Sequence, residues 1–202
     1  FALPFDETYV TDWNAFDFHM YSLQPENQAT YNFKATPWGG ACVIPQYIES
    51  FDPDDQRLKD DFISGPQYDK NGGVLYCTMG NMKGKPLDYV NKVNSIDDSD
   101  ENQGWRWGKF EYAEGITNRL SNDFPLLRYA DVYLMKAEAL LRTGHADEAA
   151  ELVTKVRERN FTEHPAKAIV TGEQLQETSC YDYGRRDNVK STHDHAIIQY
   201  LS

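Results

Sequence analysis

The stretch from residue 124 to residue 160 constrains the fold more than any other part of this chain, because its apolar side chains recur at helical spacing. The apolar face of the first helix consists of Tyr133, Ala137, Leu140 and Leu141, with Ala130 and Leu134 beside them. Pro125 suits a first helical turn, and Gly144 suits a helix end. The pattern therefore predicts a helix between these two residues.

A second helix is predicted directly after Gly144. Asp147 can cap this helix, and Glu148 and Glu151 place negative charge in its first turn, where the helix dipole favours it. Its apolar stripe consists of Ala149, Leu152, Val153 and Val156. Because the connection is short, we expect the two helices to fold back on one another as an antiparallel hairpin.

The length of this hairpin indicates a particular helical repeat. Leu127 to Asn160 spans 34 residues, which is the length of one tetratricopeptide unit. Two small residues, Ala137 and Ala149, lie where the helices must approach each other. A single unit cannot bury both of its faces, so we expect further helices, one of them beginning at residues 197–202.

The rest of the chain is rich in turns and poor in periodic segments. Residues 74–79 have the composition of a strand, and residues 44–51 predict a short helix. We therefore expect a mainly α protein with long irregular loops and a few short strands. A loop-rich segment covers 1–120, a tetratricopeptide-like hairpin covers 121–162, and a loop with the truncated start of a further helix covers 163–202.

Charge and composition exclude some classes of function. The 20 Lys and Arg residues against 32 Asp and Glu give a net charge of −12, so nucleic acid, which requires a basic surface, is not an expected partner. Cys42, Cys77 and Cys180 are widely spaced. They fit either one Cys42–Cys77 bridge or three buried free thiols, and we favour the second interpretation.

The best-marked catalytic motifs are absent from the sequence. It contains no G-x-S-x-G, H-E-x-x-H, G-x-x-x-x-G-K-[ST] or G-x-G-x-x-G pattern, so we expect no catalytic residue, no metal and no cofactor. A glycosidase needs only two carboxylates at the right separation, and this alternative stays open. Residues 98–104 resemble a calcium loop, but Lys109 occupies the position of the bidentate Glu. We therefore expect a solvated acidic loop there rather than a cation site.

Aromatic side chains are the strongest candidates for ligand contacts. The candidates are Trp13, Trp38, Tyr68, Trp105 and Trp107, all in the turn-rich part of the chain. A flat indole or phenol ring can stack on the apolar face of a sugar, and it can equally well fill a core beneath a loop. Trp38 lies in a constrained Thr-Pro-Trp-Gly-Gly turn and is the leading candidate.

Several blocks of the sequence together resemble the SusD/RagB family. They are residues 36–40 (TPWGG), 47–58 (YIESFDPDDQRL), 62–68 (FISGPQY), 124–140 (FPLLRYADVYLMKAEAL) and 156–159 (VRER). The resemblance implies a non-catalytic, cell-surface outer-membrane lipoprotein that binds oligosaccharide or polysaccharide. It also implies a SusC-like TonB-dependent transporter as partner in nutrient uptake and polysaccharide utilisation.

The resemblance carries further expectations. Members of the family are about twice as long and carry a lipidated N-terminal Cys, so this chain is expected to be a C-terminal-half fragment without its anchor and signal. The hallmark charges Arg128, Glu138 and Arg157 are expected to pair within the helical core, where an unpaired charge is costly. The alternatives are a scaffold that supports the transporter interface with the ligand site elsewhere and, more remotely, a glycan-degrading enzyme.

Overall fold

The computed structural model describes residues 1–9, 16–95 and 99–177. The candidate Trp13 and the helix expected at residues 197–202 lie outside these ranges. The described residues form two compact units. The first unit contains residues 1–4, 52–58 and 123–177, and the second contains the other described residues between 5 and 122. The loop-rich range 1–120 therefore contributes to both units.

Helices contain more residues than strands do, as expected for a mainly α chain. The described α-helices are α1 (Phe18–Ser22), α2 (Gln28–Tyr31), α3 (Pro45–Glu49), α4 (Arg57–Asp60), α5 (Tyr129–Arg142) and α6 (Ala146–Arg157). The short helix predicted over residues 44–51 is confirmed as α3, which begins at a proline with a preset backbone angle. No helix in the described part of the chain has both the length and the apolar character that a bilayer-spanning helix needs.

The strands are minimal, and each contains two residues. In chain order they are β1 (Ala2–Leu3), β2 (Phe62–Ile63), β3 (Gly65–Pro66), β4 (Asp88–Tyr89), β5 (Arg106–Trp107) and β6 (Phe124–Pro125). They form the antiparallel pairs β1–β6, β2–β5 and β3–β4. These pairs fix the ends of long loops and do not build a continuous sheet.

The strand expected over residues 74–79 does not form. Val74 and Tyr76 make only isolated bridges, to Tyr68 and Pro86. The reason is that the hydrogen-bonding partner changes along the segment. The Leu75 amide donates to the Gln67 carbonyl, whereas the Cys77 amide donates to the Lys85 carbonyl.

The predicted helix hairpin is present in the first unit. α5 and α6 pack against each other across the connection 143–145. Ala137, Ala149 and Ala150 are buried at the contact, as expected for small residues that let two helix backbones approach. Gly144 has φ of 88°, a left-handed conformation that ends α5 at little steric cost.

Both helices of the hairpin begin at different residues from those predicted. Pro125 is not in the first turn of α5 but in β6, opposite Ala2. α5 begins at Tyr129, where the Asp131 carboxylate accepts the Arg128 backbone N–H at 2.7 Å. α6 is preceded by His145, so Asp147 lies in the first turn instead of capping it.

The expectation that the hallmark charges pair in a buried core is wrong. Arg128 and Glu138 are exposed, and each forms an ion pair on its own helix, Arg128 with Asp131 and Glu138 with Arg142. Local pairing of this kind satisfies the charge without burying it, and such exposed pairs contribute about 0–1 kcal/mol.

The contacts of Arg157 also differ from the expected pairing of the hallmark charges in a buried core. It is half-buried, donates to the carbonyl oxygens of Lys167 and Ala168, and lies 4.9 Å from the centroid of the Phe161 ring. It thereby fixes the chain that follows α6. A structural role for all three hallmark residues stays a prediction.

The second unit is built around an aromatic core. The largest buried cluster contains Phe16, Leu23, Phe33, Tyr112, Ile116 and Leu120. A smaller cluster contains Cys77, Leu87 and Tyr89. Aromatic rings bury large areas with few rotatable bonds, which suits a core assembled from loops rather than from long helices.

Residues 52–58 are tied into the first unit by charge. Lys167 Nζ lies 2.8 Å from Asp52 Oδ1 and 2.6 Å from Asp54 Oδ2. Asp55 is 3% exposed, and its carboxylate accepts the backbone N–H and the guanidinium of Arg57. Burial alone would raise the pKa of Asp55, but the hydrogen bonds from Arg57 and the charges of Arg57 and Arg157 together hold it below its ordinary value.

We predict that Asp55→Asn lowers the free energy of unfolding at pH 7 by about 1.5–3 kcal/mol, the usual contribution of hydrogen bonds to a charged group. The native pKa lies below that of the unfolded chain, so the carboxylate contributes fully above about pH 4. Its contribution is lost as the pH falls through the native pKa. Denaturant unfolding from pH 7 downwards should therefore show the wild type and the variant converging in acid. Asp60→Asn, an exposed change at the end of the nearby helix α4, is the control, and a gap that stays constant into acid would contradict the assignment.

Candidate functional site

A cavity of about 580 Å³ in the second unit combines apolar, aromatic and polar walls. Its volume falls in the range of small-molecule sites, which need mostly apolar walls with a few placed polar groups. Its apolar side chains are Trp38, Ile44, Met79 and Val93, and its polar ones are Gln24, Ser95, Ser99, Asp100, Glu101, Gln103 and Arg106. Cys42 and the backbones of Gly39, Gly40 and Gly80 complete the wall.

Trp38 is held at this cavity by the backbone on both sides of it. The Trp38 amide donates to the Met20 carbonyl at 2.8 Å, and the Gly39 amide donates to the Leu23 carbonyl at 2.9 Å. The loop therefore runs along α1, and Gly39 has φ of 75°, which lets the chain turn after the indole. The ring is 51% exposed, so the backbone is fixed while the aromatic surface stays open to a ligand.

Tyr21 lies beside Trp38 and was missed by the sequence analysis. The two ring centroids are 4.7 Å apart at an interplanar angle of 79°, and Tyr21 is 54% exposed. Together they form an aromatic corner, with two accessible rings set edge to face. The sequence offered one local signal for Tyr21, which was an aromatic residue in the short segment that forms α1. Its neighbours His19, Met20 and Ser22 are buried in the structure.

The acidic loop forms another part of the wall, and it is less solvated than expected. Glu101 is 7% exposed, and its carboxylate accepts the Met79 amide at 2.9 Å. The Thr78 hydroxyl donates to Glu26 at 2.5 Å and makes a longer, 3.3 Å contact with Glu101. Asp100 is half-buried and accepts a 3.4 Å hydrogen bond from Gln103 Nε2. Asp100 thus retains acceptor capacity towards the cavity, whereas Glu101 is used to fix the wall.

Arg106 connects the loop that carries Trp38 to the acidic loop. It is 1% exposed and donates to the carbonyl oxygens of Glu101, at 2.8 Å, and Ala41, at 3.4 Å. Its guanidinium carbon lies 4.8 Å from the centroid of the Tyr89 ring, a cation–π arrangement. Burial raises the pKa of Tyr89, and the Arg106 charge opposes that rise.

The two described cysteines are free thiols, so the alternative of a Cys42–Cys77 bridge is excluded. Burial, followed by the charges of Glu101 and Glu26, raises the pKa of Cys77 to about 11. Cys77 is therefore a neutral thiol at physiological pH and packs as a core residue. Cys42 is half-buried at the cavity wall, against Gly104.

Of the other aromatic candidates, the three that the structure describes do not line this cavity. Trp105 and Trp107 are half-buried and pack around Phe62, at centroid distances of 6.4 and 5.3 Å. Tyr68 is 46% exposed and bridges Val74, away from the cavity wall. Trp38 is the sequence candidate that lies at the cavity.

Two further cavities do not include Trp38 in their walls. One of about 600 Å³ in the second unit is lined by apolar side chains, including Phe33, Val74 and Tyr76, and by the polar Glu26, Gln28 and Asn32. One of about 450 Å³ in the first unit lies beside Asp147 and Thr154 of α6 and has no aromatic wall. Among the residues that the structure describes, no group of three or more His, Cys, Asp or Glu side chains could hold a metal ion.

We predict that Gly104→Ala destabilises the cavity wall more than Gly84→Ala does. Both glycines have left-handed φ, 75° and 79°, but a Cβ at residue 104 would lie 2.5 Å from Cys42 Sγ, whereas one at residue 84 meets nothing within 4 Å. Overpacking of this kind costs about 1–3 kcal/mol beyond the shared backbone strain. Thermal and denaturant unfolding of both variants measures the difference, and equal losses would show that the wall tolerates the insertion.

Comparison with known proteins identifies the family of the chain. Searches of curated proteins and of solved structures gave no match. The family model described as the SusD family, SusD_RagB, matches residues 1–178, which is most of the chain and includes the cavity and both helices of the hairpin. The chain therefore belongs to the SusD family.

Proposed function

We propose that this protein is the non-catalytic, glycan-binding component of a nutrient-import system and that the cavity at Trp38 receives the sugar. Membership of the SusD family suggests a glycan-binding role in nutrient uptake. The observation that carries the assignment to this cavity is the half-exposed Trp38–Tyr21 corner beside a wall of amide, hydroxyl and carboxylate groups.

The two walls suit the two kinds of surface on a sugar ring. The C–H face of a pyranose is apolar and stacks on an aromatic ring, while its hydroxyls lie around the edge and need donors and acceptors. Trp38 provides the ring, and the half-buried carboxylate of Asp100 provides acceptors for the hydroxyls. Stacking on Trp38 then supplies most of the binding energy, and the polar wall sets the orientation of the sugar.

The state of the carboxylates supports a binding role without catalysis. Glycoside hydrolysis uses a pair of carboxyl groups, one of which holds and releases a proton. Glu101 is instead engaged by the Met79 amide and the Thr78 hydroxyl. The remote alternative of a glycan-degrading enzyme predicts turnover, and the binding proposal predicts none.

We infer the partner and location from the family. The partner is a SusC-like TonB-dependent transporter, and the site of action is the outer face of the outer membrane, where the protein is held as a lipoprotein. The hairpin of α5 and α6 would be one tetratricopeptide-like unit, since its 34-residue register runs from Leu127 to Asn160.

A scaffold role for the helical unit is the second candidate. Val132, Leu134 and Met135 on α5 are 49%, 41% and 54% exposed, which favours packing against further protein. In this alternative the chain supports the transporter interface while the sugar binds elsewhere. A chain that retains the transporter in a pull-down but binds no glycan would favour it.

We predict that Trp38→Ala weakens glycan binding at least tenfold, or about 1.4 kcal/mol, because the stacking surface is lost. Isothermal calorimetry on ligands found by a glycan array measures the change, with a turnover assay run in parallel. Tyr68→Ala is the matched control, because it removes a similarly exposed aromatic side chain outside the cavity. Equal affinities of wild type and Trp38→Ala, or release of cleaved sugar, would overturn the proposal.

A further inference from the structure

We propose that the cavity ranks sugars by charge, with amine-bearing sugars bound most tightly, neutral sugars next and uronates least, and that Asp100 sets this order. The inference rests on the proposed function, because it concerns the ligand of the same cavity. The inference narrows the class of ligand to uncharged or amino sugars, and carboxylated glycans are disfavoured.

The charge that a ligand meets in this cavity is negative. Asp100 is half-buried and lines the cavity, and among the described residues its carboxylate accepts a long hydrogen bond from Gln103 Nε2, at 3.4 Å. A hydroxyl or an ammonium group can donate to other lone pairs of this carboxylate, whereas the carboxylate group of a uronate has only acceptors to offer. The same group that recognises a neutral or cationic sugar therefore repels an anionic one.

The other charges in the wall are directed away from a ligand. Glu101 uses its carboxylate on Met79 and Thr78 and is 7% exposed. Arg106, the cation among the described residues that line the cavity, is 1% exposed, donates to two backbone carbonyls and faces the Tyr89 ring. Arg106 Nε has no hydrogen-bond partner among the described residues, but the side chain is 1% exposed, so a carboxylate on a sugar reaches this guanidinium less readily than a hydroxyl or an ammonium group reaches Asp100.

The aromatic corner strengthens this order. The face of an indole carries negative charge density and attracts a cation, while it offers nothing to an anion. Trp38 and Asp100 line the same cavity, so an amino sugar stacked on Trp38 gains from both groups. The chain as a whole carries a net charge of −12, which adds a long-range repulsion of anionic polysaccharide.

The experiment compares three β-1,4-linked oligosaccharides of equal length, composed of glucose, glucosamine or glucuronate. These probes share a backbone and differ in the charged group. Calorimetry or quenching of the Trp38 fluorescence, taken as the difference from Trp38→Phe, measures each affinity at low salt. We expect glucosamine to bind about tenfold more tightly than glucuronate, with glucose between them, and the ratio to shrink when salt screens the interaction.

Two variants separate the local charge from the overall charge. Asp100→Asn should bring the glucosamine-to-glucuronate ratio to within about twofold, since the amide keeps hydrogen-bonding capacity but loses the charge. Glu111→Gln changes the net charge by the same amount at an exposed residue outside the cavity wall and should leave the ratio unchanged. An equal reduction in both variants would assign the order to the overall charge and overturn the proposal.

Quenching by small ions provides a second measurement that needs no sugar. The ratio of caesium to iodide quenching of Trp38 should fall in Asp100→Asn and keep its wild-type value in Glu111→Gln, and an equal ratio in all three proteins would overturn the proposal. Binding of all three sugars with no charge order would overturn this proposal and leave the proposed function intact, whereas binding of none of them, together with no ligand on the glycan array, would overturn both. A reversed order, with glucuronate first, would make Arg106 the group that the ligand meets and would also overturn the proposal.

Discussion

The buried guanidinium of Arg106 is the interaction on which the candidate site depends. It donates to the carbonyl of Ala41 in the loop that carries Trp38 and to the carbonyl of Glu101 in the acidic wall, and it rests on the Tyr89 ring. Buried backbone carbonyls need donors, and Arg106 supplies one to each of two segments that lack regular secondary structure, while Gln24 Nε2 donates to the Glu101 carbonyl as well, at 3.2 Å. β5, which carries Arg106, is itself held by two residues of pairing with β2. The cavity is therefore organised by a few directed contacts rather than by a sheet or a bundle.

Local periodicity explains why the hairpin could be predicted from the sequence. The positions of α5 and α6 follow from apolar spacing, and Gly144 ends α5 because its own backbone can take a positive φ. The helix starts were misjudged because a long-range pairing competes for the same residues. Pro125 is used by β6 opposite Ala2, a partner more than a hundred residues earlier in the sequence. A pattern confined to one window contains no information about such a partner.

The same limit applies more strongly to the cavity. Trp38 could be singled out as an indole in a constrained turn, but its accessible partner Tyr21 follows from the hydrogen bonds between that turn and α1. Glu101 looked like part of a solvated acidic loop because it lies in a run of charged residues. The amide of Met79, from a distant loop, converts it into a buried wall residue. Arg128 and Glu138 show the opposite error, since charges in an apolar stretch suggested burial, while partners three and four residues away satisfied them at the surface.

A cavity built in this way is suited to binding a ligand without transforming it. Its backbone is fixed by hydrogen bonds from Trp38 and Gly39 to α1, so little conformational entropy has to be lost when a sugar binds. Its accessible groups are an aromatic corner and a half-buried carboxylate, which recognise a ring face and a hydroxyl edge. Glu101, the other carboxylate of the wall, is 7% exposed and accepts the Met79 amide, so it shapes the cavity instead of facing a ligand. A fixed backbone that presents an accessible Trp38 beside a half-buried Asp100 is the geometry on which the proposed binding role of this member of the SusD family rests.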